Sequence, residues 1–256
     1  MVRRHLTLCA VAAGLALGGC AQTVIVDPSW SSIPDGEAMS DAYPGFASWI
    51  GVSGWAQVRC RGDLLGNLAE CRVIKAVPAG LGFDRAALAL TPRFKMNPRQ
   101  ENGEVEKSSV EFTVRFLLPP EEPIVPWTGS EPSAETMALA RIAASRMAET
   151  RGGPATRILA DLDVDADRIE PVTAMVERVS TEYAARSPET GALMLARTGN
   201  LDQLRALAEG RRPPGPIPSR EAIEAASAES EALGREFGQR LRERYCARYA
   251  CPADGD

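Results

Sequence analysis

Two stretches, SGWAQVRCR at residues 53–61 and LAECRVIKA at 68–76, alternate apolar and polar side chains with a period of two. Six residues of turn chemistry, Gly-Asp-Leu-Leu-Gly-Asn, separate them. This limits the fold more than any other feature, because a period-two pair around a glycine turn is a β-hairpin whose register is nearly determined. Folded symmetrically about Leu65 and Gly66, the hairpin sets Cys60 opposite Cys71, Val58 opposite Val73 and Arg61 opposite Glu70. Ala56, Val58 and Cys60 share one face with Ala69, Cys71 and Val73. A non-hydrogen-bonded pair brings Cα atoms to about 4.5 Å, inside disulfide reach. The thiols therefore form a disulfide or stand as two half-buried free cysteines on the core face; the export signal described below favours the disulfide. The same register opposes Arg59 to Arg72, on the face open to water.

A turn at 78–84 leads into a short helix at 85–90, which Pro92 ends or kinks. Phe94, Met96 and Pro98 follow in an extended run, and Asn102-Gly103 marks another turn. Residues 108–118 form the last strand of this unit. Val110, Phe112, Val114 and Phe116 lie on one face, with Ser109, Glu111, Thr113 and Arg115 on the other. The expected fold class is α+β: a small antiparallel sheet of three strands with one helix packed on it, followed by an all-α region.

The order of these pieces resembles the C-terminal domain of TonB-type energy transducers. The matching positions are Gly82-Phe83-Asp84, Ala86-Ala87-Leu88, Phe94, Pro98, Gly103 and Phe116, and the likeness covers about 70 of the 256 residues. It implies a module that binds an extended segment of an outer-membrane receptor, or peptidoglycan, by strand addition. The free margin would be the last strand, through Val110, Glu111, Phe112, Thr113, Val114, Arg115 and Phe116. The chain departs from transducers in lacking an inner-membrane helix and a long Pro/Lys-rich rod, which points to an anchored adaptor or scaffold.

Residues 1–5 are basic and 6–19 apolar, too short to span a bilayer comfortably. They read as an export leader. Leu17-Gly18-Gly19-Cys20 resembles the bacterial lipobox, which implies removal of residues 1–19 and lipidation of Cys20. Ala21 rather than aspartate follows, which by the same resemblance implies sorting to the outer membrane, facing the periplasm. Residues 20–45, with Pro28, Pro34 and Pro44, read as a tether in front of a module at 46–119.

Pro-rich residues 120–132 read as a linker to a helical domain at 133–256. Its helices are expected at 133–150, 168–186, 189–197 with Ser187-Pro188 at the start, 201–209 with Asn200 as cap, and 219–249 as one long helix. Asp161, Asp163, Asp165 and Asp167 alternate as in a calcium loop. Ala166 replaces the turn glycine and Val172 the bidentate glutamate, so a solvated acidic turn is expected. Cys246 and Cys251 can pair only if the helix ends between them, since five helical residues span about 8 Å.

The net charge of −5, or −7 without Arg3 and Arg4, disfavours nucleic acid as a partner. The single histidine, His5, lies in the leader, so the mature chain offers no Ser-His-Asp triad, Cys-His pair or imidazole ligand. No cofactor, metal or small-molecule substrate is expected. An envelope hydrolase is disfavoured. The other alternative, a transducer that keeps its leader as an anchor, is opposed by the short apolar run and the Leu-Gly-Gly-Cys ending.

Overall fold

The computed structural model describes residues 24–26, 28–97, 100–101, 104–105, 108–151 and 154–251. The leader and Cys20 lie outside these. The amino half comprises β1 (Val24–Val26), β2 (Trp30–Ser32), α1 (Gly36–Asp41), α2 (Gly45–Trp49), β3 (Gly54–Gly62) and β4 (Leu68–Val77). It continues with α3 (Phe83–Leu90), a 3-10 turn at Thr91–Arg93, β5 (Lys95–Met96), β6 (Gln100–Glu101), β7 (Glu104–Val105) and β8 (Ser108–Phe116). The carboxyl half is helical: α4 (Ala134–Arg151), α5 (Pro154–Ala160), α6 (Ala166–Tyr183), α7 (Arg186–Thr198), α8 (Leu201–Ala208), α9 (Arg220–Ala226) and α10 (Ala228–Tyr249).

The main sheet has four strands in the order β1-β8-β3-β4, and it is mixed, not purely antiparallel. β3 pairs antiparallel with both β4 and β8, while β1 pairs parallel with β8. Val-Ile-Val at 24–26, expected in the tether, is thus a strand of the sheet. Nor are residues 28–45 a free spacer. β2 pairs with β5, and Trp30 packs edge-on against Phe112 at 4.8 Å and against Phe94 at 5.0 Å. Phe46 on α2 is fully buried.

The hairpin keeps Val58 opposite Val73 and Arg59 opposite Arg72, but β4 carries two irregularities. An extra residue enters at Ile74, and another beside Cys71, where Glu70 has φ 49°. Arg61 therefore faces Ala69, not Glu70, although its Nη1 still reaches Glu70 Oε1 at 2.9 Å. The bulges break the even alternation expected of β4: Ala69 is exposed, while Leu68, Cys71, Val73 and Ala76 lean inward. At the hairpin tip the Asn67 side chain, with the Asn67 and Leu65 N–H groups, donates to Asp63, which holds that carboxyl below its usual value. Gly66 has φ +83°, and a Cβ there would meet Met96 O at 2.0 Å, so the turn demands glycine.

The two halves share one core. α6 and α10 bury Val172, Val176, Val179, Phe237, Leu241 and Tyr245 in the same cluster as Ala56, Val58, Phe83, Val110 and Phe116 from the sheet module. Phe46 meets Tyr245 edge-on at 5.5 Å. Gly238 on α10 permits this approach, since a Cβ would lie 2.7 Å from Trp49 O. A second, smaller cluster of Ala140, Ala144, Ala192, Ala196 and Leu204 joins α4, α7 and α8.

The acidic stretch at 161–167 is a clasp, not a solvated turn. Arg85 on α3 contacts Asp163 at 2.7 Å and Asp165 at 2.9 Å. Arg168 donates to Ala79 O at 2.8 Å and to Tyr245 Oη at 2.6 Å. Among the described residues no group of three or more acidic, histidine or cysteine side chains is arranged to hold a metal ion. Other departures are local. α7 starts at Arg186, with Ala185 as its cap, so Ser187 and Pro188 lie in its first turn. The long helix expected at 219–249 breaks at Ser227, whose hydroxyl donates to Glu224 O at 2.9 Å. Ile169 and Ile223 recur at helical spacing with the buried Val172 and Ala226, yet both are exposed. Asn200 caps α8 through a full capping box with Gln203.

Candidate functional site: the margin and open face of the sheet

Both cysteine pairs are bonded. Cys60 and Cys71 lie at an S–S distance of 2.04 Å with Cα atoms 4.0 Å apart, and Cys60 is buried on the core side. Cys246 and Cys251 pair at 2.02 Å with Cα atoms 4.9 Å apart. α10 ends at Tyr249 and Ala250 turns at φ 53°, which brings the second sulfur back to the first.

The strand expected to be the free edge, β8, lies inside the sheet. β3 covers one side along its whole length. On the other side β1 pairs only with Ser109, Val110 and Glu111. From Phe112 to Phe116 no strand pairs with that side among the described residues. The predicted binding strand is thus divided: Val110 and Glu111 pair with β1, and Phe112, Thr113, Val114, Arg115 and Phe116 border a margin with no strand partner among the described residues. Phe112, Val114 and Phe116 turn into the core, while Thr113 and Arg115 face out and are exposed. The segment is regular, without a bulge. Tyr43 stacks edge-on to Phe116 at 5.9 Å, and burial pushes its hydroxyl up to about 12.

The other long edge is the outer side of β4. Two bulges, Arg72 and Lys75 sit on it, devices that blunt an edge against pairing. A bulged strand presents its N–H and C=O groups out of register, so an added strand meets fewer of them. The unbulged 112–116 margin has the better geometry for pairing.

The residues of the sheet face opposite the core are half-buried or exposed. This face presents Trp55, Gln57, Arg59 and Arg61 from β3, Arg72 and Lys75 from β4, and Glu111, Thr113 and Arg115 from β8. Arg59 and Arg72 stand directly opposite, an unfavourable pairing of like charges. Arg59 is compensated from the far side by Glu111, which also accepts from Gln57 Nε2 at 3.4 Å. Arg61 pairs with Glu70, and Lys75 lies 5.3 Å over the Trp55 ring. Arg72 and Arg115 have no ion-pair partner among the described residues. In a chain of net charge −5 this face is locally basic. Sequence reasoning foresaw the Arg59–Arg72 opposition but did not assemble the face, since that requires the order of strands across the sheet.

No family model and no curated protein matches the chain. A solved structure that resembles part of it is the solution NMR structure of the TonB C-terminal domain of Pseudomonas aeruginosa. It shares 21% identity over 31% of this chain and 80% of that one, with a TM-score of 0.27. A partial likeness of this strength leaves function to be argued from the chain's own sheet.

Proposed function

We propose that the protein is a lipid-anchored envelope adaptor, held at Cys20 in the outer membrane and facing the periplasm, that captures an extended segment of another envelope protein by strand addition. The observation that carries this reading is the unbulged β8 margin past Glu111, left without a strand partner among the described residues. Strand addition joins unpaired backbone groups into a new ladder, and side chains of the added strand pack alternately against the face beneath. Here Phe112, Val114 and Phe116 supply the apolar floor and Thr113 and Arg115 the polar side. The working part is backbone, so the reading asks for binding, not catalysis. The anchor in this reading is the lipid that the Leu-Gly-Gly-Cys motif implies at Cys20; among the described residues no helix is long and apolar enough to cross a membrane.

The test is site-specific photocrosslinking in intact envelopes. A photoreactive residue at Thr113 or Arg115 is expected to trap a discrete protein adduct, while one at Ile74 on the bulged edge traps none. Adducts only from Ile74, or none from either edge, would sink the proposal. Mass spectrometry of the mature amino terminus tests the anchor separately.

A further inference from the structure

The anchor and the sheet meet at one end of the module. β1 begins at Val24, four residues after Cys20. Val24 pairs with Ser109, which pairs with Arg61, the last position but one of β3 before the hairpin turn. Four residues span at most about 14 Å. A lipid on Cys20 therefore holds the turn end of the sheet close to the bilayer, where a free tether of 25 residues would have let the module roam. At that turn Leu64 is 47% exposed and Leu65 69%, two adjacent large apolar side chains next to Gly66, whose carbonyl accepts from the Met96 N–H. On the adjoining strand β1, Val26 is 64% exposed. Behind the tip the outward face carries Arg72, which has no carboxylate partner among the described residues and stands beside Arg59 despite the repulsion.

We infer that the β3–β4 turn is a second membrane contact: Leu64 and Leu65 enter the interfacial region of an anionic phospholipid bilayer, and Arg72 on the open face meets headgroup phosphates. The inference takes the placement of the bilayer from the lipid-anchor reading. Apolar side chains at a tip lose water contact on entering the interface, and cations near an anionic surface are attracted over about a Debye length of 8 Å. The tip itself is not a cationic patch, because Arg61 is paired with Glu70, and Asp63 lies in the turn. The leucines therefore carry most of the contact, and the cations orient it. One anchor and one docking point fix the sheet's orientation to the membrane. The β8 margin is then presented in a set direction and does not swivel.

The test uses residues 20–256 with Cys20→Ser, so that no lipid or free thiol contributes. Flotation is measured with vesicles of phosphatidylcholine, with and without phosphatidylglycerol. The chain is expected to bind the vesicles containing phosphatidylglycerol. Leu64→Asn/Leu65→Asn should reduce the partition coefficient by about tenfold or more. Arg72→Gln should reduce it several-fold on the anionic vesicles only. Both sites are solvent-exposed, and retention of the two disulfides and of the circular dichroism spectrum checks that the variants fold. Arg212→Gln, in the connector between α8 and α9, should leave binding unchanged. Absence of binding by the parent chain, or equal binding by the leucine variant, overturns the inference, as does binding to isolated peptidoglycan with none to lipid. Because this chain carries no acyl group, these results stand apart from the mass measurement at Cys20: a lipidated Cys20 with an unaffected leucine variant leaves the anchor intact and removes the docking point.

Discussion

Replacing Tyr245 by alanine tests whether the sheet and the helical half are one cooperative unit. Tyr245 is fully buried, packs against Phe46 and Tyr249, and accepts a hydrogen bond from Arg168. Truncating a buried aromatic costs about 3–5 kcal/mol through lost transfer energy and the cavity left behind. The lost hydrogen bond adds about 1 kcal/mol, reduced because Arg168 keeps its bond to Ala79 O. Against a total stability of about 5–15 kcal/mol this is a large fraction, and it corresponds to a fall of about 10 °C in the melting temperature. The informative assay is native-state hydrogen exchange read separately on β3 and β8 amides and on α10 amides. With one core, the protection of both sets falls by the same free energy. Phe46→Ala should reproduce the effect from the other side, with a coupling energy of about 0.5–1.5 kcal/mol in the double-mutant cycle. If β3 and β8 keep their protection while α10 loses its own, or if unfolding splits into two transitions, the shared-core argument is refuted.

Removing the Cys60–Cys71 disulfide by paired serine substitution should cost about 3 kcal/mol by loop entropy, and removing Cys246–Cys251, which closes a shorter loop, about 2 kcal/mol; urea midpoints of the two variants give the order. Arg197 is nearly buried, pairs with Glu229 at 2.8 Å and lies 5.1 Å under the Trp127 ring. Arg197→Ala should cost about 1–3 kcal/mol and release the connector, seen as faster proteolytic cleavage near Trp127. The Arg197 hydrogen bond holds the Glu229 carboxyl below its usual value, as Arg186 does for Glu236 and Arg141 for Glu189. A depressed carboxylate stabilises the fold above its unfolded value, and that contribution disappears as pH falls through the lower folded value. Thermal stability should therefore decline below pH 4.5, and less steeply in Glu229→Gln.

The strands with a clean period of two were legible. Val58 opposite Val73 and the inward set of β8 follow from alternation alone, because the period dictates which side chains share a face. β4 was legible only in part. The bulge beside Cys71 has Glu70 at a positive φ, and nothing in that residue's identity announces it; the bulge at Ile74 carries no glycine or proline signal either. β1 was missed because three residues are too few to show a period; three consecutive β-branched residues were the available signal. Its pairing is what divides the margin of the candidate site. Leu233, Phe237, Leu241 and Tyr245 stand four residues apart, a spacing legible in the sequence as one apolar helix face. A periodic stripe specifies that a helix is buried but not what buries it, so its union with Phe46 needed the tertiary structure. The Arg85 clasp was hidden for the same reason: an acidic repeat looks solvated until a cation from elsewhere in the chain reaches it.

The Phe46–Tyr245 contact joins residues close to opposite ends of the chain, and Arg242 adds a bond to Gly51 O at 3.2 Å across 191 positions. A nascent or truncated polypeptide that stops short of α10 leaves one wall of the α2 pocket unbuilt, with aromatic surface open to water. Maturation of the sheet module must then wait for α10 to be made and delivered. Closure between segments so distant in sequence favours slow folding and a dependence on chaperones that shield the waiting half.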